Sequence, residues 1–375
     1  MRFHKTLLTS IQINHHRFWS HKITRALAVA VVAAAGTLGV SSLVTAEDTD
    51  KTLLQRALTM FKPLPHTAHV EDYPHTRERV ALGKQLFFET RVSSDGRISC
   101  AACHNPSYHG ADSLALSVGV HGQKLPRNAP TVFNTPLLIA QHYGGNRVSV
   151  EEQAMKALLS PLAYGNKSYE EVEVKLRNLG YQSAFERAFP NEKDAISAEH
   201  WAEAIGAYER TLLTPAAFDS YLKGDQKAIS KEAKIGLEKF MSVGCAGCHN
   251  GSTVGGQSFQ KFGLTEDYWL ATGSVEMPLL KGRDMGKFHD TQKPEDMYIF
   301  KVPQLRNVAM TPPYFHDGSV AKLDDAVRVM GRLQLGKQLS DEDVHHIVAF
   351  LETLSGKVPE QFANVPALPV AGFRN

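Results

Sequence analysis

The stretch Cys245-Ala246-Gly247-Cys248-His249, with its earlier counterpart Cys100-Ala101-Ala102-Cys103-His104, constrains this chain more than any other feature. Two cysteines three positions apart, followed at once by histidine, fit one helical turn against one edge of a porphyrin. The thiols can then form thioethers to the vinyl groups, and the imidazole can ligate the iron from below. The chain holds four cysteines, and the two pentapeptides use all of them. A single copy could be half of a zinc site or an accident, but two complete copies with no spare thiol leave those readings little room. A paired zinc knuckle would need its second Cys-x-x-Cys much closer, and a thioredoxin-type pair has no use for a histidine after each motif. The expectation is two covalently bound haem c groups, held by Cys100 and Cys103 and by Cys245 and Cys248, with His104 and His249 on the irons.

With 375 residues, 43% of them hydrophobic and 21% charged, the chain has room for two globular domains. A net charge of +2 argues neither for nor against a charged partner, and the lack of a basic run interleaved with aromatics argues against nucleic acid. Residues 1–46 read as an export signal: Lys22 and Arg25 precede an apolar, small-residue run from Ala26 to Val44, and Val44-Thr45-Ala46 offers a cleavage site. The run is near membrane-spanning length, so an uncleaved anchor is the alternative. Its richness in Ala and Gly favours cleavage.

An internal repeat underlies the rest. Ala81-Leu82-Gly83-Lys84-Gln85-Leu86-Phe87 matches Lys234-Ile235-Gly236-Leu237-Glu238-Lys239-Phe240, with glycine and phenylalanine in register, and each leads into a haem motif. Ser197 to Thr211 lies against Ser340 to Leu354, each opening on a serine suited to an N-cap and sharing glutamate at the third and thirteenth positions. A period of about 145 residues exceeds any solenoid unit. It predicts two copies of a domain built as helix, haem motif, irregular loop and closing helix. The fold expected is mainly α: two class I cytochrome c-like domains, each around one haem, with long irregular loops. The boundary is placed at the polar stretch Lys223-Gly224-Asp225-Gln226-Lys227, ahead of Ser230 as a helix cap. The segment from Asp48 to about Thr76 is expected to wrap the surface irregularly. Helices are expected at Arg77 to Phe88, Ser149 to Leu159 and Leu323 to Met330.

From about Leu82 to Gly356 the chain resembles the bacterial di-haem cytochrome c peroxidase family. The ordered marks are LGKQLFFETRVSSDGRISCAACHNP, PRNAPTVFN, GCAGCHNG, LRNVAMTPPYFHDGSV and DDAVRVMG. The methylamine-utilisation di-haem enzyme shares this architecture. The resemblance implies an exported, periplasmic protein, since covalent haem attachment in bacteria occurs on that side. It also implies a common homodimer. The domains are 47–76 as an N-terminal extension, 77–225 around a peroxidatic haem, 226–356 around an electron-transfer haem, and 357–375 as a C-terminal tail. Met330 occupies the position of the methionine above the second haem, where a thioether raises the potential of an electron-input site. Read alone, Met330 is a core residue of an amphipathic helix. The methylamine-utilisation enzyme has tyrosine there. Asn128, Thr311 and Pro313 match positions that hold a calcium ion in the family, and hard oxygen ligands suit it.

Departures from the family pattern fall around the first haem. The histidine that ligates its iron in many resting peroxidases is Val120 here; His121, one step late, is a candidate to reach the iron in its place, with a solvated loop histidine as the alternative. The tryptophan between the haems is Tyr143, still able to serve as a bridge or radical relay. The distal acid of Asn-Pro-x-Glu-Met-Gly is Ala163 in Ser160-Pro161-Leu162-Ala163-Tyr164-Gly165. Peroxide cleavage gains roughly 10²–10⁴-fold from a group that moves its proton. Gln153 matches a pocket glutamine but cannot titrate, leaving Glu151, Glu152, Tyr164 and His316 as substitutes.

The resemblance therefore implies a periplasmic peroxidase that reduces hydrogen peroxide to water with electrons from a small donor such as a cytochrome c or a cupredoxin. The alternatives are an enzyme that uses peroxide to oxidise a side chain of a partner protein through Tyr143, and a non-enzymatic electron carrier or redox sensor.

Overall fold

Serine caps start several helices, among them the expected Ser197, Ser230 and Ser340. Ser149, Ser197, Ser230 and Ser340 each accept a backbone N–H from the third residue beyond, and Thr76 does the same for the helix Arg77–Phe87. A computed structural model describes residues 46–370, apart from 69, 71, 72, 274–279 and 281. The export signal, except for Ala46, lies outside the described residues. The molecule is largely helical. Its one regular sheet among the described residues is a short antiparallel pair, Phe259–Lys261 with Ile299–Lys301. No helix among the described residues is long and apolar enough to cross a membrane.

Two helix crossings organise the unit. Arg77–Phe87 packs on Ala198–Glu209, and Lys231–Val243 packs on Asp341–Glu352. The glycines of the repeat sit at the crossings. A Cβ on Gly83 would lie 1.8 Å from the Ala204 carbonyl oxygen, and one on Gly236 would lie 1.8 Å from that of His346. Only a bare Cα lets the backbones approach so closely.

This geometry corrects the register of the repeat by one residue. Gly83 faces Ala204 and Tyr208, while Gly236 faces His346 and Phe350, so Ala204 matches His346 and Tyr208 matches Phe350. Aligning the two capping serines misses this because the first helix starts one residue earlier relative to its crossing. The same offset recurs where Asn134 N–H donates to Leu212 O and Asn307 N–H donates to Leu354 O, both at 3.1 Å. Both asparagines adopt the left-handed conformation, and both side-chain amides donate to the Thr214 hydroxyl, at 2.9 and 2.8 Å. Thr214 is fully buried, so the two copies share one polar pivot.

The apolar core falls into two large clusters. The first gathers Leu82, Leu86, Phe87, Trp201, Ile205 and Tyr208, with Cys100 and Ala101 packed against it. The second gathers Leu237, Phe240, Val327, Ile347 and Phe350, with Cys245 against it. The chain ends cross over. Asp48 to Thr76 does not simply wrap the surface: it opens with the helix Ala46–Met60, whose Leu53 and Ala57, with Phe61 beyond, are buried in the second cluster. Polar residues in that helix mask a stripe at helical spacing, Leu53-Ala57-Phe61, that pays for its ordering by burial. Conversely Phe362, from the C-terminal tail, is buried in the first cluster, 5.2 Å from Phe133 and 5.7 Å from Phe87 by ring centroids. Phe218, Tyr221 and Leu222 already belong to the second cluster, ahead of the polar stretch at Gly224.

A candidate di-haem site

Cys100–Cys103 forms a single helical turn closed by His104 N–H donating to Cys100 O, and Cys245 to His249 repeats that bond. None of the four cysteines is paired in a disulfide. Burial pushes the thiol of Cys100 up to about 12 and those of Cys103 and Cys245 up to about 11. A redox-active pair needs a depressed thiol pKa, so these sulfurs suit covalent attachment better than thiolate chemistry.

The histidines are prepared as neutral ligands. Nδ1 of His104 lies 3.1 Å from the Gly110 carbonyl oxygen, a bond that places the proton on Nδ1 and leaves the Nε2 lone pair for iron. Burial holds His249 down to about 4. Its Nδ1 is buried without a well-formed hydrogen bond and faces the carbonyls of Val254 and Pro303. Gly255, at φ +119°, makes room for this ring: a Cβ there would lie 2.2 Å from Pro303 O and 3.0 Å from His249 Nδ1. Buried thiols, neutral imidazoles and an orphaned ring nitrogen fit the demands of a haem at each pentapeptide.

Beside the first motif lies a cavity of about 370 Å³ whose lining includes Cys103, His104, Asn128, Tyr143, Gln153 and Glu209. Gln153 reaches it from the helix Val150–Ala157, one turn beyond Val150, which also lines it. The Tyr143 hydroxyl donates to Asn128 Oδ1 at 3.3 Å and to Phe315 O at 3.4 Å, and its ring meets His316 edge-on at 6.4 Å. Burial raises its pKa, keeping the phenol protonated. Tyr143 therefore joins the cavity to the segment that follows the second motif.

His121 is elsewhere. It is exposed, in the left-handed conformation, with its N–H donating to Asp95 Oδ2 at 2.8 Å, and it does not line the cavity. Ala163 packs against the first apolar cluster, while its neighbours Ser160 and Leu162 reach the cavity. Among the substitutes for the missing acid, Glu152 is committed to Lys156 and to the Val148 N–H. The Tyr164 hydroxyl sits 3.4 Å from Cys100 Sγ. His316 is buried with Nε2 unpartnered, 4.0 Å from Asp284 Oδ2. Glu151 is buried and paired with Arg210.

Asn128 spends its side chain on Tyr143 and on Leu114 O, the latter at 2.7 Å. The Thr311 hydroxyl turns to the carbonyls of Asn307 and Val308, and Pro313 follows a cis bond. Among the described residues no cluster of three or more His, Cys, Asp or Glu could hold a metal ion. Met330 is half-buried on the helix Leu323–Leu335, three residues after Val327 and seven after Leu323, both of which pack in the second cluster beside Cys245. It therefore shares the helix face that looks toward the second motif.

Sequence reasoning missed two buried groups. Asp284 is fully buried and takes a bidentate bond from Arg127, at 2.6 and 2.8 Å. Burial alone would raise its carboxyl, but the guanidinium outweighs that and holds it below the usual range. Glu209 was visible only as a repeat mark shared with Glu352. The corrected register sets Glu209 against Leu351 instead, and Glu209 is buried whereas Glu352 is exposed.

Two haem-ready pentapeptides in one largely helical unit define a di-haem protein. A model of the di-haem cytochrome c peroxidase family matches residues 77–227. The chain is 42% identical over 325 residues to a cytochrome c551 peroxidase of Pseudomonas aeruginosa, covering 85% of this chain and 90% of the relative. It is 38% identical over 299 residues to that of Nitrosomonas europaea, covering 79% and 85%. Among solved structures, a MauG-like protein associated with microbial copper homeostasis superposes with a TM-score of 0.71 at 26% identity, over 81% of this chain and 97% of the other. The chain belongs to the di-haem cytochrome c peroxidase family.

Proposed function

We propose that this protein reduces hydrogen peroxide to water with electrons from a small redox protein. The 42% identity to a cytochrome c551 peroxidase across 85% of the chain carries the reading. When bound, the haems supply one-electron storage at each iron and the site where peroxide oxygen binds. The chain supplies the rest. His104 and His249 present neutral nitrogens, Gln153 offers an amide to orient peroxide in the cavity, and Tyr143 connects the cavity to the second half through Phe315 and His316. In this reading 77–225 and 226–356 are cytochrome c-like domains with covalently attached haems, Met330 completes the second, and 1–46 directs the chain to the periplasm. His121, exposed and bonded to Asp95, would not supply a ligand to a haem held at His104, so reductive activation would not be needed. A calcium ion at Asn128, Thr311 and Pro313 would compete with Tyr143 for Asn128 Oδ1. The donor is a cytochrome c or a cupredoxin, and the protein is a homodimer.

Oxidation of a partner protein's side chain through Tyr143 is the second reading, supported by the alanine at position 163. Stopped-flow mixing of the two-haem protein with peroxide, with and without reduced donor, separates them. Rapid donor oxidation at two equivalents per peroxide supports the peroxidase. Slow donor oxidation with a long-lived oxidised protein supports the second reading, and no peroxide consumption refutes both.

A further inference from the structure

We propose that Glu209 is the proton donor to peroxide in the His104 cavity, serving where Ala163 supplies no carboxyl. The inference rests on the peroxidase reading. Glu209 lies at the end of the helix Ala198–Glu209 and lines the cavity together with His104 and Gln153. Thr135 Oγ1, which donates to Val132 O at 2.8 Å, also lies within hydrogen-bond reach of its Oε2 at 3.3 Å, and Oε1 has no hydrogen-bond partner among the described residues. A carboxyl in that setting has one oxygen fixed and the other available to the cavity.

The surrounding charges keep the proton on it. Glu151, from the helix Val150–Ala157, faces Glu209, and the neighbouring Arg210 guanidinium is bound to Glu151 Oε1. One guanidinium therefore serves two buried carboxyls, and the one without the ion pair holds its proton. The Arg77–Phe87 helix, packed on the same helix, presents the uncharged Leu82, Gly83, Leu86 and Phe87, and its Arg79 is spent on Glu203 at 2.9 Å. Cys100 and Tyr208 are neutral neighbours whose own pKa values are raised. Burial, followed by the charge of Glu151, pushes Glu209 up to about 8, with Thr135 and Arg210 pulling the other way. An acid poised near neutrality is both protonated and ready to give its proton.

The reaction balances as hydrogen peroxide plus two protons plus two electrons giving two waters. The O–O bond breaks, two one-electron equivalents come from the reduced donor protein, and Glu209 delivers one proton to the leaving oxygen. Solvent provides the second proton and restores the carboxyl.

The test uses the full two-haem protein and Glu209→Gln, an uncharged isostere of the protonated acid. Infrared difference spectroscopy should find a protonated-carboxyl C=O band in the wild type that disappears as pH rises through about 8 and is missing in Glu209→Gln. The rate constant with peroxide should fall ~10²-fold or more in Glu209→Gln and lose its alkaline decline between about pH 6 and 9. Absence of the band in the wild type overturns the proposal, as does a Glu209→Gln rate that keeps the wild-type value or its alkaline limb. Should Glu209→Gln fail to load both haems, Thr135→Val decides. Loss of its hydrogen bond should move the infrared midpoint upward, and an unmoved or absent midpoint overturns the assignment. A wild-type protein that shows the band but consumes no peroxide refutes the peroxidase reading, and the donor role with it.

Discussion

Replacing Gly83 with alanine pits two effects of opposite sign against each other. In an exposed helix the change would stabilise by about 1 kcal/mol, because alanine loses less backbone entropy on folding. Here the new Cβ would stand 1.8 Å from Ala204 O and 2.9 Å from Tyr208 Cβ, where ordinary contact begins at 3.4 Å. The obstacle is backbone, so the helices must part by more than an ångström. Six large side chains share this interface: Leu82, Leu86 and Phe87 on one helix, and Trp201, Ile205 and Tyr208 on the other. A gap of roughly 0.5–1 Å forfeits a quarter to a half of a contact's attraction, and each such side chain is worth about 1.5–3 kcal/mol when buried. The packing loss exceeds the entropic gain, leaving Gly83→Ala less stable by about 3 kcal/mol. Thermal unfolding of the two-haem protein, followed by far-ultraviolet circular dichroism, should report a midpoint lower by roughly 5–10 °C. Gly247→Ala is the control: nothing lies within 4 Å of its Cβ position, and the change only makes the second pentapeptide match the first, so its midpoint should stay within about 1 °C, a surface-sized effect. A Gly83→Ala protein as stable as wild type would refute the claim that the crossing depends on a bare Cα.

Thr214→Val keeps shape but leaves the amides of Asn134 and Asn307 without their acceptor, costing about 2–4 kcal/mol in urea denaturation; an unchanged urea midpoint would mean that the shared pivot is energetically idle. Arg306→Met strands the buried Asp219, which takes two guanidinium bonds from Arg306 besides the N–H groups of Leu64 and Ala216. The loss should be about 3–5 kcal/mol, and Asp219→Leu added to it should recover part of that; a double variant worse than the single would contradict the account. Cys245→Ala with Cys248→Ala should reduce covalently bound haem from two to one by intact mass, while zero or two would refute independent attachment at the two pentapeptides.

Much of this protein was written locally. Haem attachment depends on spacings within one helical turn, and a cap depends on an oxygen three residues from an N–H, so the pentapeptides, the capped helices and the glycines in register are legible in the chain itself. Burial is a different kind of property, decided by what arrives from far away. Glu209 and Glu352 align in the linear repeat, but the packed register sets Glu209 against Leu351, and it is Glu209 that meets the cavity and Glu151. Glu151 and Glu152 are adjacent, yet one faces Arg210 and the other Lys156. Asp284 gains its partner, Arg127, from 157 positions upstream, and the two chain ends bury Phe61 and Phe362 in opposite clusters. The sequence alone therefore determined what could bind and how its helices begin. Only tertiary packing, by excluding water from some charges and not others, decided which carboxyl keeps a proton beside the cavity.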